Sequence, residues 1–228
     1  MENQMKLTKD TLDVLKNFST INSGLEFKKG NTIRTMSSGK TVLAKATLKD
    51  EFPQDFCVYD LNQFLSVHNL FDNTEIEFDD ANVIFKRGAK NSTSYRKTAK
   101  EMIVTPPEKE LNLPSVDVSF TLSKEDFADT LKSASVLQSP HIAVDSDGSK
   151  ISVVSFNAQD NSAHTNSIQI AEGNGKVFKM VFLTDNLKMI PGSYDVEISS
   201  KGLASFKNKN FDIQYWVASE SKYSKFEG

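Results

Sequence analysis

The sequence predicts an α+β chain of two similar domains, each an antiparallel sheet carrying two helices, and three observations support this. "LTKDTLDVLKNF" from Leu7 returns as "LSKEDFADTLKSA" from Leu122, alike in polarity, charge and length. The segments after each copy keep one order: strands, a second helix, more strands. Between the halves, "TPPEKELNLP" over residues 105–114 holds three prolines and three charges, a composition with neither helix nor sheet available to it. Domains are therefore expected at 1–104 and 115–228, joined by a linker at 105–114; a surface loop inside one domain is the other way to read that stretch. A chain of 228 residues is long enough for two domains of common size.

Each copy begins on a hydroxyl residue at an N-cap position, Thr8 or Ser123, 115 residues apart, with acidic residues in the first turn. Thr11, Val14, Leu15 and Phe18 in the first copy, and Phe127, Leu131 and Ala134 in the second, recur at helical spacing, which gives each helix one apolar stripe. Strands are expected next over "LEFKKGNTIRTM" and "TVLAKATL", and over "HIAVDSDGSKISVVSF" and "HTNSIQIA", where "DSDG" between alternating runs is a hairpin turn. A second short helix follows in each half, "YDLNQFLSVHNLF" and "FLTDNLKMI", aligning Asn62, Gln63 and Phe64 with Asp185, Asn186 and Leu187. "NTEIEFDDANVIFKR" and "EMIVT" close the first half as strands; "GSYDVEISSKGLASFKN" and "NFDIQYWVASE" close the second.

A composition of 38% hydrophobic and 25% charged residues is that of a soluble globular protein, and each half can bury a core without disulfides or metals. The start, "MENQMKLTKD", lacks the apolar centre of a signal peptide, and no run reaches the length of a membrane span, so a cytosolic location is expected. Cys57, in the apolar run "DFCVYDL", is expected to be a buried structural thiol. A formal charge of -3 argues against a protein that coats nucleic acid with its whole surface.

Catalytic motifs fail on inspection. "SSGKT" imitates the end of a phosphate-binding loop, but the glycine needed five positions before Gly39 is Arg34, and a strand pattern follows where a helix should. His68, His141 and His164 have no paired spacing and no cysteine partners, so no zinc site is expected. Asp145, Asp147 and Gly148 begin like a calcium loop without its later ligands and read as a polar hairpin turn. Glu75, Glu77, Asp79 and Asp80 read as a solvated acidic strand face. No serine sits in a nucleophile elbow. The expectation is a protein that is not an enzyme, with no cofactor and no metal.

The polar side of the helices remains. Lys9 and Lys16 lie seven residues apart, Lys124 and Lys132 eight apart, and both spacings are expected to return to nearly one face; Lys188 is expected on the fourth helix. Ordinary solvated helix faces are one account. If two similar domains set their helices on a common side of a continuous sheet, these lysines instead gather on one surface.

Along its whole length the chain resembles the DNA polymerase sliding clamps, or processivity factors, of T-even-type bacteriophages. The likeness is carried by "MKLTKDTLDVLKNFSTINSG", "VYDLNQFL", the linker, "FNAQDNSAH" and "LKMIPGSYDVEISSKGLASF". The extension "MENQ" precedes the usual start, and residues 43–56 and 86–100 fall outside the likeness. The resemblance implies a clamp fold whose subunits close head to tail into a ring, here a homotrimer, with helices lining the hole. It implies a function: encircling duplex DNA, independently of sequence, and tethering the replicative polymerase. Lys9, Lys16, Lys124, Lys132 and Lys188 would then face DNA. Leu111, Leu113, Tyr215 and Val217 would form the client pocket beside the linker, and "KTAKEMIVT" of one subunit would pair with "SAHTNSIQI" of the next. Further implied partners are a clamp-loader ATPase complex and phage late-transcription factors, with no membrane, in the cytoplasm of the infected host. A non-enzymatic single-stranded DNA-binding or replication accessory protein is the rival. It would need aromatic platforms in basic grooves, whereas the phenylalanines here follow strand patterns suited to cores. A small ATPase would need the nucleotide site that Arg34 undermines.

Overall fold

Strand β1 (Gln4–Met5) and helix α1 (Lys9–Ile21) open the first of two units, residues 1–108 and 109–228, into which the chain divides. The computed structural model describes residues 4–227; the first three residues of the "MENQ" extension lie outside the described residues. Thr8 caps α1 in extended backbone, its hydroxyl accepting from the Thr11 amide, while its own amide donates to Asp50 at 2.7 Å. Thr11, Val14, Leu15 and Phe18 are buried, as the apolar stripe requires.

Four strands follow, β2 (Leu25–Phe27), β3 (Gly30–Met36), β4 (Val42–Phe52) and β5 (Phe56–Val58), then helix α2 (Leu61–His68). Strands β6 (Glu75–Phe78), β7 (Asn82–Arg87) and β8 (Asn91–Arg96) complete the unit. Within it the strands run β5-β2-β3-β4 in one antiparallel sheet and β1-β6-β7-β8 in another. Between them lies an aromatic core: Phe27 stacks on Phe56 at 4.4 Å, and Phe64 of α2 meets Phe85 edge-on at 5.1 Å.

The second unit repeats the plan. Strand β9 (Val118–Leu122) and helix α3 (Lys124–Val136) lead into β10 (His141–Asp147), β11 (Lys150–Phe156), β12 (Asn166–Glu172) and β13 (Val177–Leu183). Then come β14 (Tyr194–Ser199), β15 (Leu203–Asn208), β16 (Ile213–Ala218) and β17 (Lys225–Phe226). Here the orders are β9-β14-β15-β16 and β12-β11-β10-β13-β17. Apart from β17, each sheet has a counterpart of the same strand order in the first unit. The β10–β11 turn falls at Gly148, whose φ of +90° suits glycine, and Asp147 accepts from the Ser149 and Lys150 amides. That is the polar turn expected of "DSDG".

Two expected elements are replaced. In "FLTDNLKMI", Phe182 and Leu183 end β13, and only Thr184–Leu187 turns, as a 3-10 segment. Pro191 excludes helical backbone at Ile190, and Ile190 is held by Tyr194 and Tyr215, so the run is too short for an α-helix. "EMIVT" is not a strand: Lys100–Met102 is a 3-10 turn, and the Val104 carbonyl accepts from Asn22 at 3.0 Å. Ile103 closes onto Gly24, where a Cβ would lie 2.6 Å from its Cγ2. The Met102 and Ile103 amides turn back on Ala99 and Lys100, the Val104 carbonyl is taken by the loop after α1, and the edge of the sheet is β8 instead.

Candidate nucleic-acid interface

The two helices carry their lysines differently. At 100° per residue, Lys9 and Lys16 point about 20° apart, straight away from the buried stripe of α1. Lys124 and Lys132 diverge by about 80°, so the expectation of one shared face fails on α3. The cause is a one-residue shift inside the duplication. The caps Thr8 and Ser123 are 115 residues apart, but the buried Thr11, Val14 and Phe18 match the buried Phe127, Thr130 and Ala134 at 116. On this burial register Lys16 matches Lys132, while Lys9 matches Glu125 and Asp13 matches Asp129. Lys124 lies to the side of the outward line.

Lys9, Lys16, Lys124 and Lys132 are all exposed, and among the described residues none of their ammonium groups makes an ion pair or a hydrogen bond, although the Lys124 amide donates to the Ser193 hydroxyl at 3.0 Å. Asp10, by contrast, is held by Lys49 of β4 at 2.6 Å, and that hydrogen bond raises the lysine's pKa. Lys188 is not on a helix. It follows the 3-10 turn, pairs with Asp185 at 2.7 Å, and sits at the rim of a cavity of about 480 Å³ beside Leu131, Ala134 and Leu183.

The four residues assigned to a client pocket separate into two pairs. Leu111 and Leu113 are half-buried in the stretch before β9. Tyr215 and Val217 are fully buried, and the Tyr215 hydroxyl accepts from the Ile190 amide at 3.2 Å. Burial pushes the Tyr215 and Tyr194 hydroxyls well above the usual phenol range. Strand alternation decided this: Ile213, Tyr215 and Val217 all face inward, so these two side chains offer no surface to a peptide.

The rejected motifs have ordinary structural explanations. "SSGKT" is the β3–β4 hairpin turn, with the Ser37 hydroxyl accepting from the Thr41 and Val42 amides. Glu75 pairs with Lys6, and Glu77 with Lys86. Burial raises the pKa of the Cys57 thiol. No group of three or more His, Cys, Asp or Glu side chains able to hold a metal forms among the described residues.

The family model described as "DNA polymerase processivity factor" matches residues 8–105, and that of the "gp45 sliding clamp, C terminal" matches residues 119–221. The sliding clamp of Enterobacteria phage T4 is 34% identical over 226 residues, covering 95% of this chain and 97% of its own. That of Vibrio phage KVP40 is 32% identical over 223 residues, covering 95% of this chain and 100% of its own. The chain belongs to the sliding-clamp family. Its fold extends further: the proliferating cell nuclear antigen of Thermococcus kodakaraensis matches with a TM-score of 0.68 at 11% identity, over 96% of the clamp and 99% of the archaeal chain. That of A. fulgidus, solved with the C-terminal region of FEN-1 bound, matches with a TM-score of 0.68 at 14% identity, over 96% and 98%.

Of two acids on the clamp's helix surface, Glu125 reads in the sequence only as a first-turn acid, and Asp129 carries no signal of its own. Both are exposed on α3. Aligning the repeat on its apolar positions, instead of on its caps, brings them out.

Proposed function

We propose that this clamp closes as a homotrimer around duplex DNA, with α1 and α3 of each subunit facing the hole, and so tethers the replicative polymerase without catalytic chemistry of its own. The observation that carries the reading is the duplicated unit, which presents the outward lysines Lys16 and Lys132 at the same point of both helices. A closed ring is held by topology, so it needs only a weak, sequence-blind attraction to the phosphates, which mobile lysine charges supply. Closure is assigned to the sheet edges, β8 of one subunit beside β12 of the next. Both strands end their sheets, with a row of backbone groups open to pairing. Leu111 and Leu113 are assigned to the client pocket, with the polymerase as principal client. Loading by an ATPase complex, use by late-transcription factors and residence in the cytoplasm of an infected host complete the reading. No described helix is long and apolar enough to cross a membrane.

The test is retention on DNA. Loaded onto a nicked circle, the clamp should co-migrate with it through gel filtration and be lost once the circle is cut. Equal retention before and after cutting would replace encirclement with ordinary surface binding.

A further inference from the structure

Resting on the reading that α1 and α3 face DNA, we propose that Glu125 and Asp129 are counter-charges on the DNA-facing surface of α3 that hold the clamp's affinity for duplex DNA low. On the burial register Glu125 stands where α1 carries Lys9, and Asp129 where it carries Asp13. Both side chains are exposed, and among the described residues neither makes an ion pair or a hydrogen bond. Neither is needed to start the helix. Ser123 and Asp126 cap each other, the Asp126 amide donating to the Ser123 hydroxyl at 3.0 Å and that hydroxyl donating to the Asp126 carboxylate at 2.6 Å.

The outer face of α3 therefore sets Lys132 against two uncompensated carboxylates, with Lys124 to the side. On α1, Lys49 already neutralises Asp10, which leaves Lys9 and Lys16 facing only Asp13. A carboxylate closer to a phosphate than the Debye length, about 8 Å at physiological salt, repels it, and the repulsion grows as salt falls. Each lysine–phosphate pairing strengthens binding but must be broken for the ring to advance, so acids placed among the lysines weaken every stationary position alike. A topologically closed ring can lose that affinity without leaving DNA. The duplication thus yields, in each subunit, one attractive helix and one whose carboxylates offset its lysines.

The experiment compares equilibrium binding of the full-length protein to a short fluorescent duplex, by anisotropy, from low to physiological salt. Four proteins are used: wild type, E125Q/D129N, K9A/K16A/K132A, and E197Q/D212N. The last removes the same charge at exposed positions off the helices. The inference expects E125Q/D129N to bind roughly two- to fivefold more tightly than wild type at low salt, with the gain shrinking as salt rises. E197Q/D212N should bind as wild type. Equal tightening in E125Q/D129N and E197Q/D212N would reduce the effect to net charge and overturn the inference. So would wild-type binding by E125Q/D129N while the lysine variant is weakened. Wild-type binding by the lysine variant would instead overturn the parent reading that these helices face DNA. Thermal unfolding of E125Q/D129N is the control for helix stability: if its melting temperature matches wild type, a binding change is not a folding change.

Discussion

Lys16 and Lys132 occupy the same place relative to the buried stripes of their helices, each two residues beyond an inward residue, Val14 or Thr130, and so on the opposite side, although the caps that begin those helices are out of step by one residue. The first turn slid while the buried face stayed. A cap contributes about 1 kcal/mol, whereas a buried face of several apolar side chains contributes several times that, so the buried face holds the register and the cap adapts.

Lys16→Ala with Lys132→Ala should weaken duplex binding and lower the slope of log affinity against log salt by up to about 0.9 for each phosphate that is no longer neutralised. Lys124→Ala should change the slope less, because Lys124 points about 80° away from Lys132. Salt titrations of the variants beside wild type check this; an equal effect from Lys124→Ala and Lys132→Ala would contradict the burial register.

Leu111→Ala with Leu113→Ala should cost a client peptide from the polymerase C terminus roughly 1–3 kcal/mol of binding while leaving assembly size unchanged. Tyr215→Ala should do the reverse of a pocket mutation. It empties a fully buried site and strands the Ile190 amide, destabilising the fold by about 3–5 kcal/mol. Calorimetric titration together with urea unfolding separates the two outcomes.

Ile168→Lys with Ile170→Lys places two charges on β12, the last strand of its sheet, where both side chains are half-buried. Lysine on an edge strand blocks edge-to-edge pairing. The variant should run as a monomer in light scattering, while the wild type should run as the proposed trimer at the same concentration. A trimer of unchanged stability would move the subunit interface off this edge.

Stability should fall as pH drops below the ordinary histidine range near 6.5, because His141 is buried and burial lowers its pKa in the fold. The unfolded chain then binds the proton first, so its contribution is present above 6.5 and is lost as pH falls through the lowered value. Its Nδ1 accepts from the Ala158 amide at 3.2 Å, and Tyr223 packs against its ring, with Glu220 nearby partly offsetting the shift. A second loss belongs lower, between 3.8 and about 2. There the Asp117 carboxylate, held down by the Ser115 hydroxyl and the Ser200 amide, finally protonates. Urea midpoints measured across the pH range should show the first decline in wild type and a flatter one in His141→Gln.

By itself the sequence determined the duplication, both long helices with their caps and most strands. These rest on local chemistry: hydroxyl caps, apolar period, turn residues and proline. The likeness carried by "MKLTKDTLDVLKNF" and "LKMIPGSYDVEISSKG" also lay in linear order, so the family was legible before any tertiary neighbour was known. Tertiary structure alone decided three things. It placed Tyr215 and Val217 inside, because a strand's inward side depends on which sheet covers it, and alternation names two faces without choosing between them. It turned "EMIVT" away from the sheet, because Asn22 and Gly24, about eighty residues earlier, supply the partners for its backbone and side chain. And it set Glu125 on the outward line of α3, because a helix is oriented by the summed burial of its stripe, which outweighs the single residue that caps it.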